Sequence, residues 1–156
     1  MSRAFVRESD QDAAAENPPE RIVSPHPNLV TPQGLKQIDE QMRALEAERQ
    51  AARSDSDPSA TARVARDLRY WSQRRATARL VEPLAQPDAV RFGVEVKLRF
   101  EDGQERTFRL VGEDEADPAR GLISWVSPIG ATLMGHEPGD TVQVLDKPAD
   151  IVALQP

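Results

Sequence analysis

The sequence predicts an α+β protein: an N-terminal antiparallel helical hairpin followed by a C-terminal antiparallel sheet with one short helix. Three observations predict it. Apolar residues recur every three or four positions from Leu35 to Leu45 and again from Val64 to Trp71. The period drops to two from Val94 to Phe100, and proline-bearing breaks at Pro58 and between Pro83 and Pro87 separate these segments. A chain of 156 residues suits one ordinary domain or two small ones.

The elements follow in order. Residues 1–28 combine acids, alanines and prolines without an apolar period, so they read as a disordered or extended tail. The hairpin is expected over 29–82. Thr31 is a good N-cap and Pro32 suits the first helical position. Leu35, Ile38, Met42 and Leu45 then form one stripe. Ser54-Asp55-Ser56-Asp57-Pro58-Ser59 is turn chemistry, with Pro58 placed to end one helix or begin another. A second stripe runs through Val64, Leu68, Trp71, Arg75 and Ala78. Two helices joined by a short turn lie antiparallel to bury both stripes, with arms of about 22 residues, or roughly 33 Å.

A linker is expected over 83–90, and a second domain over 91–156. Val94, Val96, Leu98 and Phe100 alternate with charged residues, as in a half-buried strand, and Asp102-Gly103 signals a hairpin turn. Partner strands are expected at 107–111, 122–126, 141–145 and 151–154. Ser127-Pro128 repeats the cap-plus-proline signature and opens a short helix that stops at Gly135. Five strand signals and a capped helix suffice for a small core of its own.

Composition narrows the function classes. Hydrophobic residues are 38% and charged residues 29%, as expected of a folded soluble chain. The absence of cysteine excludes disulfides, a thiol nucleophile and Cys-based zinc sites. No apolar run reaches membrane-spanning length, and the N-terminus lacks the apolar region of a signal peptide. A cytoplasmic monomer without a membrane partner is the expectation. A net charge of −6 argues against a general DNA coater. The second helix departs from that balance: Arg63, Arg66, Arg69, Arg74, Arg75 and Arg79 stand against the single acid Asp67, whereas the first arm carries four acids and four bases. Arginine without lysine suits phosphate contact, so Arg63, Arg66, Arg69 and Arg74 are candidates for touching nucleic acid or a protein partner; the alternative is a solvated face paired with acids of the first helix.

An ordered series of motifs carries a family resemblance. The run Val111-Gly112-Glu113-Asp114-Glu115-Ala116-Asp117-Pro118 is followed by Gly121-Leu122-Ile123-Ser124, then Ser127-Pro128-Ile129, Leu133-Met134-Gly135 and Gly139-Asp140. With Phe92-Gly93 ahead of them, these residues closely resemble the C-terminal domain of the GreA/GreB transcript cleavage factors. Upstream, Leu29-Val30-Thr31-Pro32-Gln33-Gly34-Leu35 and Arg69-Tyr70 resemble the family's two coiled-coil helices. The resemblance implies an FKBP-like sheet and helix that grips the rim of the RNA polymerase secondary channel. It also implies a coiled coil that enters the channel, and nascent RNA is a further candidate partner. Acidic residues at the family's coiled-coil tip help hold a magnesium ion at the polymerase active site; the factor binds no cofactor of its own and is, on this reading, not an enzyme.

The tip departs from the family pattern. The motif Gly-Asp-Leu-Lys-Glu-Asn-Ala-Glu-Tyr is absent. The interval from Thr31 to Phe92 is shorter than in the cleavage factors by roughly 18 residues, about 13 Å when split over two arms. A magnesium–oxygen bond is about 2.1 Å, so no side chain bridges such a gap. Asp55 and Asp57 are therefore weak candidates for metal-assisting carboxylates, and a solvated turn with a helix cap is the alternative. Ser127 and Pro128 match the family's polymerase-binding corner, and they also form a helix start in their own right. Asp114, Glu115 and Asp117 belong to an acidic loop that either meets the polymerase or is merely solvated. The function expected is regulation of elongation at the secondary channel without cleavage stimulation. The alternatives are a true cleavage factor using the tip carboxylates, and an FKBP-like protein-binding module or prolyl isomerase.

Overall fold

The computed structural model describes residues 17–156. The chain divides into two compact units. One holds residues 38–77 with the described residues 17–25, and the other holds residues 26–37 and 78–156.

The first unit is the hairpin. Helix α1 spans Pro32–Ser54, its first residues belonging to the second unit, and α2 spans Pro58–Thr77. Ile38, Leu45 and Ala52 are buried at heptad spacing on α1, and Val64 is fully buried on α2. Across the arms Arg75 Nε meets Asp39 Oδ1 at 2.6 Å and Arg63 pairs with Glu48. As the α1 partner moves forward, the α2 partner moves back, which is the antiparallel arrangement the short turn requires. Ser56 takes the left-handed conformation in that turn. Pro58 opens α2, where its missing N–H costs nothing.

The second stripe holds at Val64, Leu68 and Trp71, which are buried or half-buried, but not at Arg75. Arg75 is exposed, while Arg74 is only 2% exposed and Asp67 is half-buried. Spacing alone places Arg75 inward because it continues the row from Val64, Leu68 and Trp71, but the arginine pairs with Asp39 at the surface instead. Of the expected tail, residues 1–16 lie outside the described residues. Residues 17–25 have no regular secondary structure but lie against α2: the Arg21 guanidinium is 3.7 Å from the Tyr70 ring centroid.

The second unit contains a two-residue parallel pair, β1 (Leu29–Val30) with β2 (Arg79–Leu80), that no periodicity announced. Its larger sheet consists of β3 (Glu95–Phe100), β4 (Glu105–Val111), β5 (Leu122–Ser124), β6 (Thr141–Val144) and β7 (Lys147–Gln155), in the order β5-β4-β3-β7-β6. Neighbours are antiparallel except β4 and β5, which run parallel with Arg109 opposite Leu122. The expectation of a wholly antiparallel sheet is corrected here. The segment 112–121, with a 3₁₀ turn at Pro118–Arg120, carries the chain back across the end of β4 instead of reversing it in a hairpin.

Helix α3 (Pro128–Leu133) packs on the core through Leu133. Val96, Leu98 and Phe100 of β3 supply the inward residues at the period of two, joined by Phe108, Leu110, Val142, Val144 and Ile151. Val90 is fully buried in the same core, and its N–H donates to the His136 carbonyl at 2.8 Å. The end of the expected linker is thus part of the sheet unit.

One turn is conformationally strained. Leu145 and Asp146 form the two-residue loop between the paired residues Val144 and Lys147, with φ of 54° and 60°. This is type I′ geometry, which favours Asn-Gly and disfavours leucine. The Leu145→Asn, Asp146→Gly double variant is expected to raise stability by about 1 kcal/mol. A urea midpoint no higher than that of the parent would contradict this.

Candidate functional site

The parallel pairing of β4 and β5 positions the first candidate surface. Because both strands run the same way, their C-terminal ends share one end of the sheet. The acidic loop leaves β4 there, and the Ser127-Pro128 corner leaves β5 there. Trp125 sits between them, its backbone N–H donating to the Val111 carbonyl at 3.0 Å, with the His26 ring edge-on at 6.3 Å.

Ser127 holds the corner with one hydroxyl used twice. It donates to the Ser124 carbonyl at 2.6 Å and accepts from the Gly130 N–H at 3.1 Å. Pro128 follows as the exposed first residue of α3. Gly130 admits no side chain, since a Cβ would stand 2.3 Å from the Ser124 carbonyl oxygen. The cap, the proline and this close approach together fix the corner's shape.

The acidic loop is not uniformly available. Asp114 and Asp117 are half-buried, but Glu115 is only 8% exposed. The Thr31 hydroxyl donates to Glu115 Oε2 at 2.6 Å, and the Gly34 N–H donates to that same hydroxyl at 2.9 Å. A Cβ on Gly34 would lie 2.5 Å from Glu115 Oε2, so glycine is what lets the carboxylate close on the start of α1. Negative charge is favourable at a helix N-terminus. The expectation of Glu115 as a docking residue is therefore corrected: burial commits its carboxylate to holding α1 in the sheet unit. A cleft of about 430 Å³ beside it is lined by Thr31, Gln33, Gln37, Arg109, Arg120 and Leu122, among others, with no aromatic side chain among the described residues that line it.

The arginines of α2 divide into three kinds. Arg63 is held by Glu48 across the hairpin, which raises its pKa, and Arg66 Nε donates to the neighbouring Asp67 at 3.0 Å. Arg69 is held by Glu20 of the N-terminal segment; the shared hydrogen bonds raise the Arg69 pKa and lower that of Glu20. Arg74 is only 2% exposed, so the expectation that it contacts a partner is corrected: its guanidinium is not presented at the surface. Arg49 and Arg53 of α1 join Arg69 with Thr61 and Ser72 in lining a groove on the hairpin, a contribution overlooked when charge was read along the second helix alone.

At the hairpin tip, Asp55 and Asp57 are exposed. Asp57 Oδ1 accepts from the Ala60 N–H at 3.0 Å and caps α2. Among the described residues no group of three or more His, Asp or Glu side chains is placed to hold a metal ion, and no helix is long and apolar enough to cross a membrane.

Comparison with known proteins places these features in context. Residues 85–151 match the family described as "Transcription elongation factor, GreA/GreB, C-term". The transcription elongation factor GreA of Desulfovibrio desulfuricans is 33% identical over 134 residues, covering 74% of this chain and 83% of the relative. The transcription elongation factor GreB of Neisseria meningitidis serogroup B is 39% identical over 87 residues, or 54% of this chain and 53% of the relative. A crystal structure of GreA factor homolog 1 of Thermus thermophilus aligns over 82% of this chain and 98% of that one, with 20% identity and a TM-score of 0.41. The relatives correct one expectation. The sequence suggests a non-enzyme, but matches across three quarters of the chain to factors named for transcription elongation leave no ground for excluding a part in catalysis.

Proposed function

We propose, since this chain belongs to the GreA/GreB family of transcription elongation factors, that it regulates elongation by binding RNA polymerase at the rim of the secondary channel. The sheet unit is the docking module, and the hairpin lies in or over the channel. The chain acts in the cytoplasm as a monomer and needs no cofactor of its own; magnesium enters only as the polymerase's ion. The observation that carries this reading is the family match over 85–151, within which the Ser127-Pro128 corner and the loop bearing Asp114 and Asp117 share one end of the parallel strand pair. A corner fixed by a cap, a proline and a close backbone approach loses little freedom on binding.

The hairpin's contribution is electrostatic positioning. Arg63, Arg66 and Arg69 face channel or nascent RNA, exchanging carboxylate partners for phosphate ones. Changing all three to Gln is expected to weaken binding to an elongation complex and flatten its salt dependence, because fewer counterions are released. A salt slope identical to the parent's would make these arginines only a solvated face.

The tip carboxylates do not hold the polymerase's second magnesium. Helices of 23 and 20 residues give arms of roughly 30–35 Å, and Asp57 uses an oxygen on its own helix. The test is a stalled, backtracked complex with magnesium and the purified chain. The reading predicts an altered rate of resumed elongation with RNA fragment release unchanged from polymerase alone. Accelerated release that disappears in the Asp55→Ala, Asp57→Ala double variant would assign cleavage stimulation to the tip and overturn this part.

A further inference from the structure

The N-terminal segment occupies a surface of α2 in a manner that mimics a nucleotide. Glu20 engages Arg69 through both carboxylate oxygens, the Nε contact measuring 3.2 Å. The next residue, Arg21, lays its guanidinium 3.7 Å from the Tyr70 ring centroid and 5.5 Å from that of Trp71, and its Nη1 lies 3.7 Å from Asp67 Oδ1. Tyr70 and Trp71 meet edge to face at 5.2 Å, so together they form a rigid aromatic ledge. An anion thus sits on an arginine while a flat, delocalised group sits on the adjoining aromatic face. A single-stranded nucleic acid makes the same pair of contacts, with phosphate on arginine and base stacked on an aromatic ring.

We infer that Glu20 and Arg21 are a built-in occupant of a nucleotide-binding ledge made by Arg69, Tyr70 and Trp71, and that single-stranded RNA binds this ledge by displacing them. The inference rests on the proposed reading of α2 as a nucleic-acid face and adds its regulation. The occupant is releasable. The side chains of Glu20 and Arg69 are 64% and 58% exposed, and ion pairs that open to solvent hold weakly. No helix or strand tethers residues 17–25, and Ile22 beside the two contacts is 93% exposed. A latch of this kind lowers apparent affinity by the fraction of molecules in which the ledge is open.

The experiment uses the full chain, its Glu20→Gln, Arg21→Ala double variant, and that variant carrying Tyr70→Leu as well. Each is titrated into a short fluorescein-labelled oligouridylate at low salt, after circular dichroism has shown unchanged helix content. The double variant is expected to bind about threefold to tenfold more tightly than the parent, and Tyr70→Leu to remove that gain. Equal affinity of parent and double variant would overturn the latch while leaving RNA binding in place. Absence of RNA binding in both would overturn the ledge itself and, with it, the nucleic-acid reading of α2. A gain toward core RNA polymerase but not toward the oligonucleotide would assign the ledge to a protein partner, which also overturns the inference.

Discussion

Replacing Ser127 and Pro128 together by alanine is expected to weaken binding to core RNA polymerase by about tenfold or more, the equivalent of about 1.4 kcal/mol. The Ser127 hydroxyl makes two bonds at the corner, and both are lost in the variant. The Gly130 N–H then lacks its acceptor, and without Pro128 the backbone is no longer held at the helical φ. The sheet should survive, because losing a cap costs about 0.5–2 kcal/mol and the core residues of β3, β4, β6 and β7 are untouched. The change therefore falls on the shape a partner reads. Titration of fluorescently labelled chain with core enzyme measures it, with circular dichroism confirming the fold. Unchanged affinity would remove the corner from the docking face.

Replacing Thr31 by valine is expected to destabilise the sheet unit by roughly 2–4 kcal/mol. Valine keeps the branched shape but has no hydroxyl, and two polar groups lose their partner at once. The Gly34 N–H loses the oxygen that caps α1, and the Glu115 carboxylate, 8% exposed, loses its donor. Leaving a buried charged acceptor unsatisfied costs more than the hydrogen bond itself contributed. Thr31→Ser retains the hydroxyl and is expected to stay within about 1 kcal/mol of the parent. Urea unfolding of the three proteins, followed in the far ultraviolet, decides the matter. A valine variant as stable as the parent would show that water readily replaces Thr31 at Glu115.

Much of this architecture was legible in the amino-acid order because its signals are local. Thr31-Pro32 and Ser127-Pro128 each begin a helix where cap and proline predict it, and the alternation from Val94 to Phe100 maps onto the buried and exposed faces of β3. Non-local contacts were not legible. Nothing in the spacing of Glu115 links it to Thr31, 84 residues away, so an acidic run suggests a carboxylate available to a partner or to solvent although this one is buried. Arg74 illustrates the same limit: arginines on one helix are chemically alike, and only the folded chain distinguishes the buried one from its exposed neighbour Arg75. The parallel course of β5 depends on how residues 112–121 cross the sheet, which periodicity along a strand does not encode. The N-terminal segment has no repeat at all, and its contacts with α2 through Glu20 and Arg21 follow no period.

The most direct measurement of the central claim is equilibrium binding of the purified chain to core RNA polymerase. The chain, labelled at its N-terminus, would be titrated with core enzyme at two salt concentrations and followed by fluorescence anisotropy. The account predicts saturable binding that excess unlabelled chain reverses and that weakens as salt rises. No change in anisotropy at core enzyme concentrations of about 10 μM, corresponding to a binding free energy weaker than about −7 kcal/mol, would contradict it.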